Sequence, residues 1–323
     1  MKAIRFDQTG GAEVLRFEEI AAPAPGAREV LVHLHAIGVN FIDTYYRGGL
    51  YPAPMPGGLG LEGAGIVEAI GEGVTRFAVG DRIAFCQGPL GAYADLHVVK
   101  ETRAVKLPDG VSFDIAAASM LKGATARYLL RKTFRVERGH NVLIHAAAGG
   151  VGQIATQWAK HLGARVIATV GSDAKVEVAK ALGADDVIVS SREDIAERVR
   201  ALTDGVGVDV AYDGVGKDTW DASLDSLRKF GMMVSYGNAS GPVPPIAPLV
   251  LARKGALYLT RPGLEPHIDT AETLDQTAAD LFDVIASGAV KIAAPKRYAL
   301  ADAAQAHRDL EARKTTGSVV LIP

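Results

Sequence analysis

Val142-Leu143-Ile144-His145-Ala146-Ala147-Ala148-Gly149-Gly150-Val151-Gly152-Gln153-Ile154-Ala155 is the stretch that decides the fold. Its opening residues are apolar and partly β-branched, and they read as a buried strand. The glycines make a tight turn, and a helix follows over about 151–162. Glycine at such a turn lets the backbone approach a pyrophosphate and packs helix closely on strand. The N–H groups and dipole of the helix N-terminus favour the anion. A glycine-rich turn in a purely structural βαβ unit is the competing reading. A second strand, ending about 20 residues after the glycines, favours the dinucleotide site.

Outward from this loop, strands over 165–170, 187–189, 208–212 and 232–236 alternate with helices over 174–182 and 194–202. Such alternation implies parallel βαβ units. The first third is different. Runs over 30–37 and 64–70 are strand-like, and Pro23-Ala24-Pro25-Gly26 and Gly71-Glu72-Gly73 punctuate the chain as turns. This part reads as all-β or barrel-like. Residues 113–134 read as helical with a break at Gly123; helices over 271–287 and 301–313 and a strand over 318–322 close the chain. The fold class is therefore α/β: a Rossmann doubly wound parallel sheet over 124–262, inserted into a β-rich domain made of 1–123 and 263–323.

The composition of the 323 residues, 48% hydrophobic and 22% charged with net charge −2, suits a globular chain that buries its own core. The near-neutral charge argues against nucleic acid or an anionic membrane surface as the main partner. Cys86 is the single cysteine, so neither an intrachain disulfide nor a cysteine-rich zinc site can form. No apolar run approaches the ~18 residues of a membrane span. Charged Lys2, Arg5 and Asp7 stand where a signal peptide needs an apolar run. The expected location is the cytoplasm.

In NAD sites an Asp or Glu at the end of the second strand binds the ribose 2′-OH. Here Val170 occupies that place, followed by Gly171, Ser172 and Lys175. Nothing there is expected to repel a 2′-phosphate, so the residues favour NADPH. A solvated helix lysine is the plainer reading of Lys175.

Several blocks match a known family. They are Asn40-Phe41-Ile42-Asp43-Thr44-Tyr45, Gly58-Leu59-Gly60-Leu61-Glu62-Gly63-Ala64-Gly65, Ala146 to Gly152 followed by Gln157-Trp158-Ala159-Lys160, Gly216-Lys217-Asp218-Thr219-Trp220, Thr260-Arg261-Pro262, and Gly317 to Pro323. Over essentially its whole length the chain resembles bacterial NADPH:quinone oxidoreductases of the zeta-crystallin type, in the zinc-free branch of the medium-chain dehydrogenases/reductases. The resemblance implies a GroES-like catalytic domain around the Rossmann domain, a cofactor between domains, and a homodimer. It places Asn40 and Tyr45 near the nicotinamide, with Phe41, Asp43, Thr44, Thr125 and Tyr128 beside the cofactor. It assigns Gly149, Gly150 and Val151 to the pyrophosphate, and Gly171, Ser172, Lys175 and Arg313 to the 2′-phosphate. Tyr236, Gly237 and Asn238 would line the cofactor groove, with Arg261 nearby. Ser190 stands where bacterial members often carry a tyrosine: a hydroxyl remains and the aromatic surface does not.

Zinc-containing relatives use Cys and His ligands, because thiolate and imidazole bind Zn²⁺ and amide or alkyl groups do not. Asn40 stands at the first cysteine's place and Leu61 at the histidine's, so no metal is expected. His33, His35 and His97 read as ordinary, partly buried side chains. No Ser/His/Asp or Cys/His constellation is visible, and Cys86 is expected to be inert. Asn40, Tyr45 and Tyr51 are the candidate catalytic residues, able to donate hydrogen bonds to the anion formed when a quinone accepts reducing equivalents from NADPH. Packing is the rival role for each tyrosine, and a structural ion pair for Arg261. Two other functions stay open: reduction of α,β-unsaturated aldehydes or ketones, and a non-enzymatic RNA-binding or crystallin-like role.

Overall fold

The computed structural model describes residues 1–323 and divides them into two compact units. One comprises Met1–Ala124, Glu265–Asp283 and Ile292–Pro323; the other comprises Thr125–Leu264 and Val284–Lys291. No helix is long and apolar enough to cross a membrane.

The first unit is built on β-structure. Its seven-stranded sheet runs Lys296–Ala299, Val319–Ile322, Glu29–Val39, Glu62–Ile70, Arg82–Cys86, Ala104–Lys106, with Leu96–Lys100 pairing to Glu29–Val39 off that path. A three-stranded sheet joins Arg16–Glu19, Lys2–Phe6 and Gly57–Gly58. Ile4, Phe6, Leu34, Ile37, Phe85 and Tyr93 are among the large side chains of its core. The expectation of an all-β unit needs correcting, because Phe41–Gly48 is an α-helix. It begins at Asn40, whose backbone N–H donates to Asp43 Oδ2 at 2.8 Å, the return arm of a capping box. It ends at Gly49 with φ 83°, a left-handed conformation that glycine adopts without a Cβ penalty.

A second correction concerns Gly123. The helix Phe113–Tyr128 runs through it without a break. A Cβ there would lie 2.4 Å from Leu281 Cδ1, so the missing side chain admits a neighbour and does not end the helix.

The second unit is a six-stranded, wholly parallel sheet in the order Asp186–Val189, Arg165–Val170, Asn141–Ile144, Val208–Asp213, Leu227–Ser235, Tyr258–Thr260. Numbered along this domain the order is 3-2-1-4-5-6, that of a doubly wound dinucleotide fold. The order reverses between Asn141–Ile144 and Val208–Asp213, and ligands of such sheets bind beyond the carboxyl ends of the strands at that switch.

Candidate functional site

The phosphate loop lies at the switch point. Ala146 takes φ 50°, a left-handed conformation uncommon for a side-chain-bearing residue. Its carbonyl accepts from Gly149 N–H at 2.8 Å. Gly149 caps the helix Gly150–His161. A Cβ on Gly152 would meet Ala146 O at 2.3 Å and Ala147 Cα at 2.7 Å, so only glycine allows the helix to start this close to the strand. The first-turn N–H groups of such a helix lack intrahelical acceptors and suit an anion. The cradle fits a pyrophosphate.

At the tip of Arg165–Val170, Val170 is buried and carries no acid. Gly171 opens onto empty space, and Ser172 and Ser190 are exposed. Ser190 N–H and Oγ both donate to Val170 O, at 2.9 and 3.2 Å. Lys175 closes a short 3₁₀ turn begun by Asp173. The expectation that nothing here repels a phosphate overlooks Asp173. That carboxylate is paired with Arg192 at 2.8 Å, which supplies a compensating cation at the same edge.

The loops after the next two strands interlock. Tyr236 N–H donates to Asp213 O at 2.8 Å, and a Cβ on Gly237 would lie 2.4 Å from Gly214 O. Tyr236, Gly237 and Asn238 thus stand beside the switch point. Arg261 is exposed beyond Tyr258–Thr260, and its guanidinium donates to Pro262 O. Thr125 and Tyr128 are buried on their helix. Arg313 belongs to the other unit, with φ 58° just after the helix Ala303–Glu311.

In the first unit, Asn40, Phe41, Asp43, Thr44 and Tyr45 share the helix start. Asn40 and Thr44 are buried, and Thr44 Oγ1 donates to Phe41 O at 2.7 Å. The rings of Phe41, Tyr45, Tyr51 and Tyr46 form a run of contacts with centroids 5.8, 5.4 and 5.6 Å apart. Tyr46 was not among the residues singled out from sequence; its place one residue after Tyr45 was the available signal.

Asn40 also reaches Glu62, which is fully buried. Its carboxylate accepts from Asn40 Nδ2 at 2.8 Å, Leu121 N–H at 2.7 Å and Lys122 Nζ at 3.2 Å. A cation already satisfies this acid, Asn40's amide is committed to it, and Leu61 offers no donor atom. No group of three or more His, Cys, Asp or Glu could hold a metal, and these residues do not fit a zinc ion. Burial raises the Cys86 thiol well above its usual range. The histidines correct the expectation of partial burial: His33 and His35 are exposed, while His97 is buried and held neutral, its pKa lowered to about 4 by desolvation.

The sequence-based expectation of no Ser/His/Asp constellation is also corrected. Ser223, His145 and Asp213 converge, fully buried, below the phosphate loop. A nucleophilic triad needs histidine between acid and serine, so that imidazole can take the serine proton. Here Ser223 is the middle member and its proton is committed to Asp213.

A 3-2-1-4-5-6 dinucleotide sheet, inserted within a β-rich unit made from both chain ends, defines a medium-chain dehydrogenase/reductase. Residues 150–267 match the family model described as zinc-binding dehydrogenase, and residues 26–109 that of the alcohol dehydrogenase GroES-like domain. The chain is 54% identical to a quinone oxidoreductase of Pseudomonas aeruginosa, covering 100% of this chain and 99% of that protein. It is 44% identical to a 2-haloacrylate reductase of Burkholderia sp, covering 97% and 96%. The structure of Escherichia coli quinone oxidoreductase complexed with NADPH superposes with a TM-score of 0.98 at 48% identity, covering 100% of both chains. The chain belongs to the quinone oxidoreductases of the medium-chain dehydrogenase/reductase superfamily.

Proposed function

We propose that this chain binds NADPH and uses it to reduce small quinones. The observation that carries the reading is the second strand's acid-free tip beside the glycine cradle. Val170 is turned into the core, Gly171 is open, and Ser172 and Lys175 follow. The 48%-identical relative complexed with NADPH supports it.

Gly149, Gly150 and Val151 bind the pyrophosphate; Gly171, Ser172, Lys175 and Ser190 bind the 2′-phosphate. Tyr236, Gly237, Asn238, Thr125, Tyr128 and Arg261 line the rest of the cofactor's path. NADPH when bound supplies the hydride. The run of tilted and edge-to-face aromatic rings from Phe41 to Tyr51 offers apolar ring faces and edges against which a planar ring acceptor can pack. Asn40, Tyr45 and Tyr51 steady the acceptor oxygen as negative charge develops on it. That anion is stabilised by conjugation and takes its proton from solvent, so no protein general acid is needed. Alcohol oxidation would require a base or metal to remove the hydroxyl proton. A 2-haloacrylate is also a conjugated acceptor, and the Burkholderia relative makes reduction of activated alkenes the second reading.

The protein works as a cytoplasmic homodimer. Tyr258 and Leu259 are exposed on the edge strand Tyr258–Thr260, which pairs on one side only. Pairing across a two-fold axis would satisfy its open backbone groups. Light scattering should give twice the 33.9 kDa chain mass.

The test of function is NADPH consumption with 1,4-benzoquinone, 9,10-phenanthrenequinone and an alkenal, and NADP⁺ reduction with a primary alcohol. Quinone turnover should exceed the others. Alkenal turnover alone would favour the second reading, and alcohol turnover would overturn both. In the same assay Lys175→Ala should weaken NADPH about 10- to 100-fold and NADH little, the effect of one lost charge-assisted bond.

A further inference from the structure

The glycine loop rests on a set of buried polar groups that the cofactor contacts leave unexplained. His145, Asp213 and Ser223 are fully buried, and Thr169 and Thr219 nearly so. Ser223 Oγ lies 2.7 Å from Asp213 Oδ2 and 2.9 Å from His145 Nε2. His145 Nδ1 lies 3.1 Å from Thr169 Oγ1, which accepts from Ala146 N–H at 3.3 Å. Thr219 Oγ1 donates to Asp213 Oδ2 at 2.7 Å, and the N–H groups of Val215 and Gly216 donate to Oδ1 at 2.8 and 2.9 Å.

The protons can be assigned from valence. A carboxylate only accepts, and a serine hydroxyl has one proton to give. Ser223 gives it to Asp213, so it must accept from His145 Nε2–H. Burial lowers the His145 pKa, against the opposing charge of Asp213, and keeps the ring neutral. A neutral ring protonated at Nε2 has a lone pair at Nδ1, which takes the Thr169 hydroxyl proton. The lone pairs of Thr169 Oγ1 then face Ala146 N–H. Every donor in the series points toward Asp213, and each bond polarises the next in the same sense.

We infer that this one-way chain, Ala146 N–H to Thr169 to His145 to Ser223 to Asp213, is the device that positions the phosphate loop for the dinucleotide. The inference rests on the reading that this loop holds NADPH. Ala146 is the strained residue of the loop, and such strain persists only where the surroundings over-determine it. Its carbonyl receives Gly149 N–H and nearly touches the site of a Cβ on Gly152, so the orientation of Ala146 sets where the helix begins. Asp213 also gathers the N–H groups that open the loop after its own strand. One carboxylate thereby anchors the loops of the two strands that flank the switch point. Thr169, His145, Ser223 and Asp213 are positioning residues; none needs to touch the cofactor.

Thr169→Val is nearly isosteric and removes only the hydroxyl, whereas Thr169→Ser keeps it. Binding of NADPH to the purified protein, followed by fluorescence titration, should show Kd raised about tenfold in Thr169→Val, or about 1.4 kcal/mol. Thr169→Ser should restore it to within about threefold, and kcat at saturating NADPH should be unchanged in both. Nitrogen NMR of His145 in the wild-type protein without cofactor should show the proton on Nε2 and none on Nδ1. A Thr169→Val Kd within twofold of wild type would overturn the inference, as would Thr169→Ser binding no better than Thr169→Val, or a His145 ring protonated at Nδ1. Wild-type protein that does not bind NADPH would instead overturn the cofactor reading, and the NMR result would still decide the direction of the chain.

Discussion

Each unit buries a neutral histidine between a donor and a hydroxyl that ends on a carboxylate, yet the two series finish differently. In the dinucleotide unit the series starts at a backbone N–H and ends on Asp213, whose oxygens both accept bonds. In the β-rich unit it starts at Arg47, whose Nη1 lies 3.0 Å from His307 Nδ1. His307 Nε2 lies 3.0 Å from Tyr93 Oη, which donates to Asp43 Oδ2 at 2.8 Å. Asp43 Oδ1 is buried with no partner. Desolvation pushes the Asp43 carboxyl up to about 7, against the bonds from Asn40 N–H and Tyr93. The saturated series can only hold geometry. The unsaturated one ends on an acid whose open oxygen has room for a proton near neutrality, directly under the helix start that carries Asn40 and Tyr45.

The difference should be most visible in the pH dependence of stability. An unfolded Asp titrates near 3.9. With Asp43 at about 7, the folded state holds a proton that the unfolded state has lost, so this group's stabilisation falls as pH rises from about 4 to about 7 and is flat above. His307 acts in the opposite sense. Burial and the Arg47 charge lower it to about 3, so its contribution is complete above about 6.5 and is lost as pH falls toward 3. Asp43→Asn should remove the first slope and keep the second. The gain in unfolding free energy relative to wild type should grow by about 2–3 kcal/mol between pH 5 and pH 8, measured by urea denaturation. An equal effect at both pH values would mean that Asp43 is ionised throughout, and the contrast between the two units would fail.

Removing the hydroxyl next to each carboxylate makes a closer comparison. Tyr93→Phe takes a donor from Asp43 and leaves His307 Nε2–H without its acceptor, at a cost of about 1.5–3 kcal/mol. Because the Tyr93 bond favours the ionised carboxylate, the cost should be larger at pH 8 than at pH 5. Ser223→Ala should cost a little less, about 1–2 kcal/mol, since Asp213 keeps its bonds from Thr219, Val215 and Gly216. That cost should be the same at pH 7 and pH 9. A slope in the Ser223→Ala series over this range would show that the saturated chain also exchanges a proton.

Neighbouring residues alone disclosed the central elements of the dinucleotide unit and the chemistry of its glycine loop. The strand, glycine turn and helix around Gly149 to Gly152 were legible because turn chemistry and hydrophobic period act over a few residues. The missing acid at Val170 and the missing zinc ligands at Asn40 and Leu61 were legible because each occupies a defined place in a local motif. The helix Phe41–Gly48 was missed because it is short and lies between strands, where period is a weak signal. Long-range packing settles that Gly123 admits Leu281 without breaking its helix, and that Lys122, 60 residues along the chain, neutralises Glu62. It alone joined Ser223 to His145, 78 residues apart, and Tyr93 to His307, 214 apart. Neither local period nor turn chemistry reports such contacts. They form when neighbouring strands and helices close over polar groups, and burial then obliges those groups to find one another.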